Sequence, residues 1–342
     1  MMSTTQVAEV IGAPQRVQRW VLILLALLSY STACFAMNLN PTSVKGMAQA
    51  YGFVLGQEYS LSRITKEFPD LTVRVELAGA QFGSTYPDIK VKLETQLKQA
   101  MGERLFQETK ADLLTKLKET IGRQQITKES ALSFLEQVKG RSKGDIESPV
   151  LEYLLALRYT TNPAAEFADG FRQRYETNGM GKSQGIKLNL QLPRSWAREE
   201  GERPHIVQKW VSENGTGLEI IHLDIRDAQG YSPTKKELED FVKSGEVKES
   251  VPNGSTYVAS GNFTLENQTG WWVQTSMSLE RAGMKTHQEA LIYQFFFRGK
   301  AVGIMCQAVG PEGEEAKVYE SFNRIKPLCQ RVLNSVVLPQ AY

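Results

Sequence analysis

The segment Ser255 to Gly310 constrains the fold most, because its apolar side chains recur at every second position. Tyr257, Ala259, Phe263 and Leu265 alternate with Ser260, Asn262, Thr264 and Glu266, the period of a strand with one buried face. After the turn-forming Asn267 to Gly270, Trp271, Val273, Met277 and Leu279 alternate with Gln274, Ser276, Ser278 and Glu280. Two further runs, Glu289 to Arg298 and Ala301 to Val309, flank the hairpin signal Gly299-Lys300. Strands joined by such short turns form an antiparallel meander, and one this long is the core of its domain.

The rhythm ahead of this region is different. From Asn38 to about Tyr175 apolar residues recur at helical spacing, and no strand is expected. Thr42 to Phe53 and Ser60 to Phe68 read as short helices, the second opening on a serine suited to N-capping. Val73 to Phe82 reads as helix despite its β-branched start. Ile89, Leu93, Leu97 and Met101 fall on one face, and Leu113, Leu114, Leu117 and Ile121 repeat the habit. Thr127-Lys-Glu-Ser130 leads into another amphipathic helix. Pro149 to Tyr159 is apolar on most sides, as the central helix of a bundle is, and Pro163 suits the first turn of a last helix running through Phe167, Phe171 and Tyr175.

With 342 residues the chain has room for two domains. The composition shift at Thr177 to Gly185 places the boundary: residues 37–176 form the helical domain, 177–185 a flexible linker, and 186–342 the second domain. Gly181-Lys182-Ser183 within that linker is no phosphate loop, since Glu176 stands where the motif requires glycine. Beyond it, Ile186, Leu188, Leu190 and Leu192 alternate with polar residues. Ile206 to Val211 and Leu218 to Asp227 add two strands, with Asn214 to Gly217 as the turn between them. Ser232-Pro-Thr234 opens a helix, and the meander and a closing helix from about Val318 to Val337 complete the chain. The expected class is α+β, an N-terminal all-helical domain followed by an antiparallel-sheet α/β sandwich.

Ile186-Lys-Leu-Asn-Leu-Gln-Leu-Pro-Arg-Ser-Trp196, a strand running into Pro and Trp, resembles the entry to the domain of the PsbP family of photosystem lumen proteins and of the DcrB-type bacterial lipoproteins. The helix ending at Val337 is similar to the one that closes their sandwich. The resemblance covers the second half of the chain and implies an antiparallel sheet between helices, in proteins that mostly bind or assist an assembly. It carries over no catalytic residue, and the helical first half has no counterpart in it.

Residues 1–36 read as a targeting segment. Arg16 and Arg19 precede the apolar run Trp20 to Leu28, and small residues end at Ala36. Cleavage after Ala33 or Ala36 is the leading expectation, giving a secreted or periplasmic protein of a bacterial envelope. Two alternatives bring in the membrane: Trp20 to Ala36 retained as an anchor, or Ser31-Thr-Ala-Cys34 used as a lipobox with Cys34 lipidated. In an oxidising compartment Cys306 and Cys329 can pair, stapling the closing helix to the last strand; the alternative is two small buried hydrophobes. Asn214, Asn253, Asn262 and Asn267 fit the glycosylation pattern but read as turn and strand residues in a bacterial envelope.

Charge excludes one class of partner. Lys and Arg number 40 against 38 Asp and Glu, so no strong field favours nucleic acid. The three histidines, His205, His222 and His287, have no second ligand at metal spacing. No nucleophile elbow occurs, and paired carboxylates fall in polar loops or on a helix. No catalytic set, metal site or cofactor is expected. His222 with Asp224 two residues on is the one acid–base pairing a strand offers, and it supports an alternative reading as a hydrolase. Trp271 and Trp272 are adjacent on a strand and face opposite sides of the sheet. With Trp196, Trp210 and His222 they are the candidate binding residues, since exposed tryptophans mark interfaces; the alternative is that helices cover both sheet faces and every tryptophan is packing. The functional expectation is an exported binding or assembly module without catalysis, contacting another envelope protein or a small ligand. The alternatives are the His222/Asp224 hydrolase and a membrane-tethered component of an envelope complex.

Overall fold

The computed structural model describes residues 40–281 and 283–342. The targeting segment, with Cys34, lies outside the described residues. Helix α1 (Pro41–Glu67) opens on Asn40, whose side chain accepts from the Ser43 amide at 2.9 Å. Two short helices were expected here, but the chain is helical throughout, because Met47, Ala50, Tyr51, Val54, Leu55 and Ile64 keep one buried face along its whole length. Ser60, expected as a cap, lies inside the helix and donates to the Gly56 carbonyl at 2.8 Å. Helices α2 (Thr72–Thr85), α3 (Ile89–Met101), α4 (Glu103–Thr120), α5 (Lys128–Arg141) and α6 (Val150–Tyr159) follow. Thr127 and Ser130 form a reciprocal capping box at the start of α5. In α6 almost every side chain is buried, as its all-round apolarity requires.

Helix α7 (Pro163–Ala168) is shorter than expected. Gly170, at φ +91°, ends it, and Arg172–Glu176 is a strand, β1, where helix was expected. It pairs antiparallel with β2 (Asn189–Pro193), Arg172 opposite Pro193 and Glu176 opposite Asn189. Thr177 to Gly185, expected as a flexible linker, is thus the connection within a hairpin. Thr177 is buried there, its hydroxyl donating to the Ile186 carbonyl at 2.8 Å and accepting from the Leu188 amide at 2.9 Å.

The main sheet has seven antiparallel strands in the order β3-β4-β5-β9-β8-β7-β6. They are β3 (Ala197–Glu199), β4 (Ile206–Val211), β5 (Glu219–Asp227), β6 (Ser255–Leu265), β7 (Gln268–Arg281), β8 (Met284–Phe297) and β9 (Lys300–Pro311). The meander β6 to β9 stands as the alternation required. Its tight turns fall one residue earlier than expected, at Glu266-Asn267 and Arg298-Gly299, where both residues have positive φ. The strand Ile186 to Leu192, expected in this sheet, lies outside it in the β1-β2 hairpin, because Leu188, Leu190 and Leu192 pack into the core beneath the sheet rather than along its edge. The short β3 takes the edge position.

Two helices cover the sheet from opposite sides. On one face Trp210, Ile221, Leu223, Ile304, Cys306, Leu291, Phe295 and Leu265 meet α9 (Glu315–Asn334) and the β1-β2 hairpin. Cys306 and Cys329 form a disulfide across this contact, Cα atoms 6.2 Å apart. On the other face α8 (Lys235–Ser244) and the turn after it bury Leu238, Val247, Trp271 and Val273. The helices α1 to α6 have an apolar core of their own that ends at Tyr159, and the sheet's main core begins at Ala164. Both cores lie in one compact unit, Met37–Tyr342.

Candidate functional site

The tryptophans do not form an exposed cluster. Trp196 and Trp210 are 2% and 0% exposed in the main core, where Trp210 meets Tyr175 edge to face at 5.0 Å. Trp271 and Trp272 do point to opposite faces. Trp272, half-buried, packs against the main core, and Trp271 lies under α8. Covering both sheet faces removes these rings from solvent, so three of the four are packing first.

His222 faces the α8 side of the sheet, in register with Lys209 on β4 and Met305 on β9. Burial lowers its pKa to about 4, so it is neutral at neutral pH and a weak base. Asp224 pairs with Arg226 at 3.2 Å. Among the described residues no hydrogen bond joins Asp224 to His222, and no group of three or more His, Cys, Asp or Glu side chains is placed to hold a metal ion.

What the second face does provide is a groove of about 410 Å³ between α8 and the sheet. Tyr231, Phe241, Trp271 and Phe296 line it with Glu237, Asp240 and Glu246. Period two explains the wall from β8: Phe295 and Phe297 are buried in the main core, and Phe296 between them must face the other way. The rings stand in two steeply inclined pairs. Tyr231 and Phe296 are 5.4 Å apart at 85°, and Phe241 and Trp271 are 5.7 Å apart at 61°. Helix α8 is positioned by a capping box: Glu237 accepts from the Thr234 amide at 2.7 Å and from its hydroxyl at 2.8 Å. Those hydrogen bonds hold the Glu237 carboxyl below its ordinary pKa, so it stays ionised. Gly245, at φ +88°, closes the helix.

A second group of acids lies at the seam between helices and sheet. Glu166 of α7, Glu213 and Glu219 surround a cavity of about 10 Å³, room for one water. Glu166 is 1% exposed and accepts from the Ser195 amide and hydroxyl at 2.7 and 2.6 Å. Burial outweighs those bonds and pushes its pKa up to about 7. Burial, then the charge of Glu219, raises Glu213 to about 7 as well. Glu219 is ion-paired with Arg324 and accepts from the Ser212 hydroxyl. Glu213 and Asn214 are both left-handed, a conformation uncommon outside glycine. The Asn214 amide holds that turn by donating to the Ser195 carbonyl at 2.8 Å. A space of that size admits a water but no substrate.

Sequence reading picked out Trp271 in the groove but missed Tyr231, Phe241 and Phe296. Phe296 was legible, since the run Phe295-Phe296-Phe297 within a strand forces one aromatic ring onto the opposite face. The seam acids carried no signal, because they come together only through contacts between distant segments.

No family model matches the chain, and no curated protein matches it. Among solved structures, the chain is similar to the cyanobacterial PsbP of Synechocystis sp. PCC 6803 at 14% identity, over 49% of this chain and 92% of that one, with a TM-score of 0.30. It is similar to LpqN, involved in cell envelope biogenesis of Mycobacterium tuberculosis, at 15% identity over 52% and 96%, with a TM-score of 0.29. It is also similar to the Ran-binding protein Mog1p of Saccharomyces cerevisiae at 9% identity over 49% and 95%, with a TM-score of 0.32. Each of these matches covers about half of this chain.

Proposed function

We propose that this protein is an exported envelope protein that acts by binding, without catalysis, and that its ligand site is the groove between α8 and the sheet. The observation that carries this reading is the gathering of four aromatic side chains and three carboxylates around an open space of about 410 Å³, in the size range of small-ligand sites. Weakly basic His222 and the water-sized seam cavity offer no comparable place for chemistry. Export rests on the sequence of residues 1–36. Among the described residues no helix is long and apolar enough to cross a membrane. N-terminal sequencing of the mature protein is expected to find a chain beginning near Met37; a chain that retains Trp20 identifies a tethered form instead.

The binding reading is tested with a photoreactive phenylalanine at position 231, on the groove rim, and at position 319, where Tyr319 is exposed on α9. Irradiation of intact cells is expected to give an adduct of one mass at 231 that Phe296→Asp removes, and none at 319. Identical adducts at both positions defeat the reading. So does hydrolysis of ester, glycoside or peptide substrates by the purified protein in a manner abolished by His222→Ala.

A further inference from the structure

We propose that the groove under α8 binds a small organic cation, an alkylammonium group held between aromatic rings and carboxylates; the inference rests on the binding reading above. Charge complementarity argues for it first. The side chains lining the groove include Glu237, Asp240 and Glu246 and no lysine or arginine. Asp240 is ion-paired with Lys236, whereas Glu246 has no ion pair among the described residues. Glu246 and Ser244 lie at the C-terminal end of α8, where the last carbonyls carry partial negative charge that favours a cation.

The aromatic walls argue for the kind of cation. Tyr231, Phe241, Trp271 and Phe296 line the groove, and aromatic rings attract positive charge, an attraction that a bulky, weakly hydrated ammonium uses best. A metal ion asks for something else. It needs several oxygens converging on one point, and among the described residues no such group of carboxylates exists. The groove's volume of about 410 Å³ suits a small free molecule rather than a folded partner.

The test uses the purified protein with choline as the probe and 3,3-dimethyl-1-butanol as its uncharged isostere, followed by calorimetry and by the Trp271 indole resonance. Choline is expected to bind about tenfold more tightly than the isostere, since cation–π attraction of this kind is worth on the order of 1–2 kcal/mol. Phe296→Leu keeps apolar bulk and removes a ring, and Glu246→Gln removes only a charge. Each is expected to weaken choline about tenfold and to weaken the isostere far less, with thermal unfolding confirming that both variants fold. Equal affinity for choline and isostere overturns the cation while the groove stands as a binding site. Trilysine binding at least about tenfold more tightly than choline overturns the small free occupant in favour of a basic peptide. A Trp271 resonance that responds to none of the probes overturns the cation, and the crosslinking at position 231 then decides the groove separately.

Discussion

The two faces of the seven-stranded sheet bring acidic residues together in opposite ways. On the α9 face, Glu166 and Glu219 are buried beside a cavity for one water, the first hydrogen-bonded to Ser195 and the second ion-paired with Arg324, with Glu213 half-buried next to them. On the α8 face, Glu237, Asp240 and Glu246 edge an open groove and face aromatic rings. The difference comes from coverage. Helix α9, the hairpin β1-β2 and a disulfide close one face, whereas α8 and the turn after it cover part of the other. An acid that is enclosed must be neutralised or paired, so its role is spent on the fold. An acid at an open rim keeps its charge available to a ligand.

The largest expected effect separates the faces at adjacent residues. Phe295 is 1% exposed in the main core, and Phe296 is half-buried on the groove. Phe295→Ala is expected to cost about 3–5 kcal/mol by urea unfolding. Phe296→Ala is expected to cost about 1–2 kcal/mol, since only part of its area leaves water. Equal costs would mean that both faces are closed cores.

The staple on the α9 face comes next. Cys306 and Cys329 are separated by 23 residues in sequence, a loop whose closure is worth about 3 kcal/mol. Reduction, or Cys306→Ala with Cys329→Ala, is expected to lower stability by that amount and to leave groove binding unchanged. A reduced protein that loses its groove ligand would show that the two faces are coupled.

The sealed acids give the closed face a pH dependence. Burial raises Glu166 from its ordinary 4.5 to about 7, so the fold prefers the protonated carboxyl. That contribution is fully present below about pH 4.5, declines as pH rises, and is lost above about 7. Between pH 5 and 8 the loss attributable to Glu166 is about 2–3 kcal/mol, read as a fall in unfolding free energy. Glu166→Gln cannot ionise and is expected to remove that share of the slope. A slope unchanged in the variant would show that Glu166 is ionised in the fold at both pH values.

How much of this was legible in the sequence follows the same division. Alternation in β6 to β9 announced the meander, and the opposite headings of Trp271 and Trp272 followed from period two. Alternation says that two faces differ but not what covers them, so the sequence left open whether its tryptophans form a surface cluster or pack under helices; Trp196, Trp210 and Trp271 are buried. Ile186 to Leu192 alternates as an edge strand does, yet it pairs with Arg172–Glu176, a segment of polar side chains whose helical neighbours masked its strand character. The groove was half legible, through Trp271. Tyr231 and Phe241 belong to it only because α8 folds back over the sheet, a contact between segments that local spacing does not encode.

The smallest effect concerns α8 itself. The Thr234 hydroxyl accepts from the Glu237 amide at 3.2 Å and completes the cap that starts this helix. Thr234→Ala removes that acceptor, at a cost of about 1 kcal/mol. Because α8 contributes only Leu238, Phe241 and Val242 to a small core with Trp271 and Val273, the loss is expected to appear as local opening rather than global unfolding. Amide hydrogen exchange within Lys235–Ser244 should then quicken about fivefold, the factor that corresponds to that cost, while the amides of α9 keep their rates. Ligand affinity at the groove should change far less than exchange does, since the closed fraction of α8 falls little while opening stays rare. If α9 quickens along with α8, the covering helices rise and fall as one unit. The open face then owes its character to the same cooperative fold as the closed one, and the contrast between them is one of chemistry but not of stability.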